Sequence, residues 1–283
     1  LLVSVKGGGH SYPGKCTSDG GMMIDLSQMQ TVDVDPDRMT ARVGGGALLG
    51  HVDTATLQHD LITTTGTVSH TGVGGFTLGG GMGRTARMTG LAIDNLLAAK
   101  VVTASGDVVR ASEEENADLL WGLRGGGGNF GVVTSFTYQM RSVGQEVLAG
   151  LVLYTMEDAA EVLRFYRDFT ATTPVQLGSM AVFRLAPPAP FIPEALHGKP
   201  VLALIVCYNG DLDKGERVLQ PLRDFGAPIF DGIGRKSFAA HNTSLDPGQP
   251  SGMYYYWKSD YVTEIVDGVI DVLVDYAARM TSP

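Results

Sequence analysis

The group in this sequence best placed to do chemistry is a histidine that follows three consecutive glycines, in Lys6-Gly7-Gly8-Gly9-His10-Ser11. Residues without side chains let the backbone approach a bulky ligand and take conformations closed to other residues. The apolar, partly β-branched run Leu1-Leu2-Val3-Ser4-Val5 reads as a strand that delivers His10 to such a ligand. A glycine-rich turn with an incidental histidine is the other reading these six residues allow. A second glycine concentration runs from Gly66 to Gly83, with eight glycines in eighteen residues. That much glycine costs too much ordering entropy for a stable helix or an ordinary strand. Val68, Val73, Phe76 and Leu78 in turn make the stretch too apolar for a flexible linker. The pattern predicts a loop whose free backbone amides suit a pyrophosphate.

Other chemistries fail on spacing. Gly9 to Cys16 follows a phosphate-loop pattern until its last position, where Cys16 replaces the magnesium-binding hydroxyl, and Pro13 opposes a helix start. Gly126, Gly128 and Gly131 have dinucleotide-fingerprint spacing, but a helix precedes them and a strand follows, the reverse of the required order. The six histidines and two cysteines show no zinc-like spacing, so no metal is expected. His51 and His59, eight apart on one helix, read as surface or packing residues.

The elements that must position these residues follow from pattern. Met22-Met23-Ile24-Asp25-Leu26 reads as a buried strand. Thr31 to Asp35 and Met39 to Val43 form a hairpin around Asp35-Pro36-Asp37, and Lys100 to Thr103 with Val108 to Ala111 form a second. A helix is predicted over Ala47–Leu61. Ser112 and Glu115 make a capping box for a helix through Trp121 that Gly125 to Gly128 stop. Val132, Thr134, Phe136, Tyr138 and Met140 fall on one face of the following strand. The texture changes near residues 141–147, which predicts domains over 1–143 and 144–283. The second begins with strand Val147–Tyr154 and a helix bearing Val162, Leu163, Tyr166 and Phe169. Strands Met180–Leu185 and Val201–Tyr208 follow, then a helix capped by Asp213 and Glu216, an aromatic strand Tyr254–Trp257 and a last helix from Val266 to Met280. Strands and helices joined through hairpins predict an α+β fold with antiparallel sheets.

A net charge of -9 opposes a nucleic-acid partner, because phosphate binding needs a basic surface. No apolar run approaches the ~18 residues of a membrane span. Cys16 and Cys207 are too few for a disulfide framework. The chain opens on Leu1 inside an apparent strand with no signal-peptide pattern, which favours a cytoplasmic location and a piece of something longer. Of 38 glycines, 26 lie in residues 1–131, so ligand-hugging backbone belongs to the first half.

Taken together, four boxes resemble the berberine bridge enzyme-like branch of FAD-linked oxidases: Lys6 to Ser11, Gly66 to Gly83, Gly90-Leu91-Ala92-Ile93-Asp94-Asn95, and Asp118 to Gly131. They occur in that family's order and cover nearly all of residues 1–140, with weaker similarity through Tyr254 to Asp260. The resemblance implies a PCMH-type FAD-binding domain over 1–143 followed by a substrate domain over 144–283, and FAD bonded covalently through its 8α-methyl group to His10. It implies cofactor contacts from Lys6, Gly7, Gly8, Gly9, Ser11, Gly66, Thr67, Val68, Thr71, Gly72, Gly74, Gly75, Thr77, Gly79, Gly80, Gly81 and Val132. Some members add a cysteinyl bond at the position of Val68, so a single attachment is expected. Phe76 stands where many members have a histidine. Relatives also have a unit before the histidine box and a catalytic base after the substrate domain, so both ends are expected to be incomplete, with the base beyond Pro283. The implied reaction is hydride transfer from a small alcohol, sugar or alkaloid-like substrate to flavin N5, then to O2 or another acceptor. A flavin-binding module without turnover is the alternative.

Overall fold

The computed structural model describes residues 1–281 and divides the chain into two compact units. One comprises Leu1–Gln145 with Ser237–Lys258; the other comprises Glu146–Lys236 with the residues from Ser259 on.

The first unit opens with β1 (Val3–Lys6) and β2 (Met22–Asp25), paired in parallel with Lys6 opposite Asp25. A two-stranded sheet buries only what another layer covers, and Met22 and Met23 reach solvent, so this is not the buried strand its apolar run suggests. Next come β3 (Val32–Asp35), β4 (Thr40–Gly44), α1 (Leu49–Thr56), β5 (Leu61–Ile62), α2 (Val73–Leu78) and α3 (Ala86–Thr89). After them follow β6 (Leu96–Val102), β7 (Val108–Ser112), α4 (Ala117–Leu123), β8 (Val132–Gln139) and β9 (Arg141–Ser142). Five strands form the main sheet in the order β3-β4-β8-β6-β7, every neighbouring pair antiparallel. Both expected hairpins are in it. Its core contains Val43, Leu96, Val101, Leu123, Phe136 and Met140, all buried.

Four local readings are corrected. The helix over Ala47–Leu61 is shorter: α1 ends at Thr56, and a 3-10 turn over Leu57–His59 leads to Asp60 in the left-handed region at φ 54°. Ser112 does not cap α4. Its hydroxyl accepts the Glu115 N–H and its own N–H donates to Glu115, which makes a tight turn, and the helix starts after Asn116 at φ 53°. In β8 the register slips between Lys100 opposite Ser135 and Val101 opposite Val133, leaving Thr134 as an extra residue. The buried face therefore switches phase to Val133, Phe136, Tyr138 and Met140, and Val132 and Thr134 leave it. Finally, the glycine-rich stretch contains a helix, α2. Six residues suffice because tertiary contacts hold them: the Val73 N–H donates to Ala47, and Val73, Thr77 and Leu78 are buried.

The second unit has β10 (Glu146–Thr155), α5 (Ala159–Thr172), β11 (Leu177–Leu185), β12 (Pro200–Tyr208), α6 (Leu212–Arg223), β13 (Phe230–Asp231) and β14 (Gly234–Ser237). Its sheet runs β11-β12-β10-β13, with β14 also on β10. The cap of α6 is Asp211, whose carboxylate accepts the Lys214 N–H at 2.8 Å, not Asp213. After α7 (Phe238–Asn242), which belongs to the first unit, α8 (Asp267–Ala278) packs on α5 through buried Ile270 and the pairs Arg164–Asp271 and Arg167–Asp267. Among the described residues no helix is long and apolar enough to cross a membrane.

The boundary expected at 143/144 is not the whole division, since residues 237–258 return to the first unit. Polar pairing draws them there. Asn242 donates to the buried Asp53 carboxylate at 2.7 Å, and Asp246 accepts both the N–H and the hydroxyl of Ser69 at 2.8 and 2.5 Å. Tyr254–Trp257 is not a strand: with no strand to pair with, Trp257 stacks on Tyr12 at 5.1 Å and Tyr255 meets the same ring edge-on, while Tyr254 and Tyr256 are exposed.

Candidate functional site

Three glycine segments of the first unit meet in backbone contact. A Cβ on Gly8 would lie 2.2 Å from the Gly72 nitrogen, and one on Gly72 would lie 2.2 Å from that of Gly8. Gly45 closes the stack, its carbonyl oxygen 3.2 Å from a Cβ on Gly74 and 3.5 Å from one on Gly7. No side chain fits between these chains, which is why the sequence spends glycine here.

Beside the stack, a Cβ on exposed Gly9 or Gly75 would meet nothing within 4 Å, nor would one on Gly80, which is buried. Gly9 and Gly80 also have φ of 78° and 115°, a region that favours glycine. Among the described residues, the backbone N–H groups of Gly7, Gly8, Gly9 and His10 find no acceptor in the protein. Unclaimed amides beside side-chain-free space fit an anionic, flat cofactor such as FAD, whose pyrophosphate takes amides and whose ring system needs room.

His10 stands at this cradle, half-buried, with Nε2 2.7 Å from Nδ1 of His70 and the rings 4.7 Å apart. His70 lies within a turn closed by the Thr71 N–H donating to Val68. The carbonyls of Ser69 and Thr71 accept the N–H groups of Gly50 and Leu49, and so satisfy the start of α1, which has no side-chain cap. Ser69 is clamped by Asp246 as described. Burial is the largest cause that lowers the His10 pKa from its ordinary value; the nearby His70 lowers it further and Asp246 opposes. The net effect favours the neutral imidazole of His10, which carries one lone pair.

The remaining candidates are placed as follows. Lys6 is held by Asp25 at 3.0 Å. The Asp25 carboxyl is pulled down to about 2, chiefly by the Ser27 N–H and then by Lys6. The Ser11 hydroxyl accepts the Lys15 N–H, and its carbonyl accepts that of Gly14, so the stretch with a phosphate-loop pattern is a tight turn. Gly66 and Gly81 flank Phe76 so closely that a Cβ on either would come within 3.0 Å of its ring. Phe76 thus packs against the core rather than offering a polar contact. Thr77 is buried with its hydroxyl 2.7 Å from that of Tyr138, a core contact. Thr67, Val68 and Thr71 are half-buried in the loop beside His70, and Gly79 is exposed at the end of α2. Val132 begins β8 opposite Val102, outside the glycine stack. His51 accepts the Leu48 N–H with Nδ1.

Sequence reasoning missed two residues of the site. His70 was read only as part of the loop, and Asp246 lies 177 residues from its partner Ser69. The only sequence signal for His70 was its residue type inside a glycine-rich stretch. Among the described residues no group of three or more His, Cys, Asp or Glu could hold a metal. Two clefts of about 660 and 630 Å³ lie in the second unit, and none of their lining residues belongs to the glycine segments.

Residues 1–112 match the family described as FAD binding domain. The chain is 34% identical over 240 residues to (R)-6-hydroxynicotine oxidase of Paenarthrobacter nicotinovorans, covering 84% of this chain and 50% of that protein. It is 45% identical over 141 residues to glucooligosaccharide oxidase of Sarocladium strictum, covering 49% of this chain and 28% of the relative. A solved glucooligosaccharide oxidase from Acremonium strictum, described as carrying 6-S-cysteinyl, 8α-N1-histidyl FAD, superposes with a TM-score of 0.80 at 29% identity, covering 99% of this chain and 59% of that one. The chain spans about half the length of the curated relatives it matches. On the matched domain, residues 1–112 form an FAD binding domain of the PCMH type, and the chain shares its fold with FAD-linked oxidoreductases.

Proposed function

We propose that this chain serves an FAD-dependent oxidoreductase whose flavin is bonded to His10. The observation that carries this reading is a half-buried, neutral histidine at the edge of a side-chain-free cradle with unclaimed amides. Bound FAD would accept a hydride at N5 from substrate and pass the electrons to O2 or another acceptor. The chain's own part is to hold it: amides of Gly7, Gly8 and Gly9 toward the phosphates, the open face of Gly75 against the cofactor, and His10 as covalent anchor. The names of the relatives support a small-molecule substrate bearing an oxidisable carbon, of the sugar or hydroxylated-alkaloid kind. The second unit is proposed as the substrate domain, and no described residue is assigned as the catalytic base. Val68, at the position where the family resemblance expects a cysteinyl bond, supports a single attachment.

The test is acid precipitation of the purified protein, reading flavin absorbance in pellet and supernatant. Flavin in the wild-type pellet and in the His10→Ala supernatant is the expected result. Flavin retained in the His10→Ala pellet would mean a second bond elsewhere and overturn the single attachment; a wild-type pellet without flavin would overturn the covalent reading. Bleaching of the bound flavin by a candidate sugar or hydroxylated amine separates an enzyme from a binding module.

A further inference from the structure

The His10–His70 pair has a chemical consequence beyond holding two rings together. A 2.7 Å approach between His10 Nε2 and His70 Nδ1 requires a proton on one nitrogen and a lone pair on the other. Nε2 of His10 is thereby engaged, and among the described residues no protein group bonds His10 Nδ1. His70 is in turn fixed, since its neighbour Ser69 is clamped through two bonds to Asp246. We propose that His70 is the positioning partner for flavin attachment: it accepts the Nε2–H of His10, leaves Nδ1 as the bonding nitrogen, and takes up the Nε2 proton as the bond to the flavin forms. This rests on the reading that His10 carries the flavin.

A bond forms between His10 Nδ1 and the 8α carbon, and one C–H bond of the 8α-methyl group breaks. Its proton leaves to solvent, and its electron pair remains on the ring system, which is reduced by two electrons. The Nε2 proton of His10 passes to His70 Nδ1, so that the attached His10 ring stays neutral and His70 takes the positive charge. O2 then takes the two electrons as hydrogen peroxide. The Asp246 carboxylate bonds Ser69, the residue before His70, and its charge favours a proton on the pair from the His10 side.

The inference is tested with the full chain purified free of flavin from a riboflavin-starved host and mixed with FAD. Covalent attachment is followed in time by acid precipitation, and the linked nitrogen is identified by NMR of the flavin peptide. Non-covalent FAD affinity and the thermal midpoint report whether each variant folds. His70→Ala is expected to slow attachment by about 10²-fold, the lower end for loss of a general base, to yield a mixture of Nδ1 and Nε2 linkages, and to be rescued in part by imidazole. His70→Asn places an amide oxygen where Nδ1 stood: it should keep the Nδ1 linkage yet attach slowly, because an amide takes no proton. Wild-type rates in either variant, with FAD still bound, would overturn the role of His70. If His70→Ala does not fold, His70→Asn decides alone. A wild-type chain that binds FAD without attaching it would overturn the covalent reading itself, and with it this inference.

Discussion

Glycine does two different jobs in the cradle, and they are separable by measurement. Gly72 is a spacer: the Cβ of alanine there would lie 2.2 Å from a backbone nitrogen that has nowhere to go. Gly72→Ala is expected to lower stability by several kcal/mol, in the range of core overpacking or more, seen as a large fall in thermal midpoint. Gly75 lies within α2 and faces open space. Gly75→Ala is expected to raise stability by up to about 1 kcal/mol through helix propensity while weakening FAD binding, because the new methyl group occupies ligand space. Loss of stability in both variants, or of binding in neither, would refute the division of roles. His10 belongs to the same scale. Its position after three glycines was enough to single it out, whereas His70 became visible only when the two segments met.

Elements are tied together here by buried polar groups as much as by the sheet core. Asp53 on α1 is buried, bonded to Thr65 at 2.8 Å and to Asn242 of α7 at 2.7 Å, and burial pushes its carboxyl up to about 6. A carboxyl whose folded pKa is raised favours the folded state in its protonated form. Its contribution is fully present below the unfolded value near pH 3.8 and is lost as pH rises through about 6. Two units correspond to about 3 kcal/mol. The thermal midpoint of wild type relative to Asp53→Asn is therefore expected to fall between pH 4 and pH 7 and to level off above that. Asparagine can be accommodated because the buried Oδ1 of Asn242 has no partner and can accept from it once the amide turns over. A difference between the two proteins that does not change with pH would show that Asp53 does not titrate in this range.

For the whole molecule, the division into units is not linear in the chain. The segment from Ser237 to Lys258 supplies the first unit with Asn242 for Asp53 and Asp246 for Ser69. Ending the chain at Lys236 strips these partners, and an unpaired buried polar group costs about 1–3 kcal/mol each. The truncated chain is expected to melt its first unit earlier and to show hydrogen exchange at Thr65 and Ser69. Equal protection in the truncated and full chains would contradict this account of the return segment.

Local pattern made much of this protein legible without coordinates. Both hairpins, strands β10 to β12 and the helices of the second unit and the α+β character follow from alternation and helical spacing, which depend on near neighbours only. The glycine-histidine box and the second glycine-rich stretch marked the cofactor region for the same reason: residues without side chains announce a close approach by something. What approaches them is a matter of distance in the chain. The contact of Gly8 with Gly72, the pairing of His10 with His70, the return of Asp246 to Ser69 and the bulge at Thr134 join residues that no local rule connects. The helix inside the glycine-rich stretch shows the same limit, since its own propensity argues against it and residues brought from elsewhere, among them Ala47, Gly127 and Tyr138, hold it. The sequence by itself determined which segments lack side chains and so allow a close approach. The tertiary structure decided which of those glycines face open space, which are spent on packing, and which histidine pairs with His10, because those outcomes depend on contacts made across the fold.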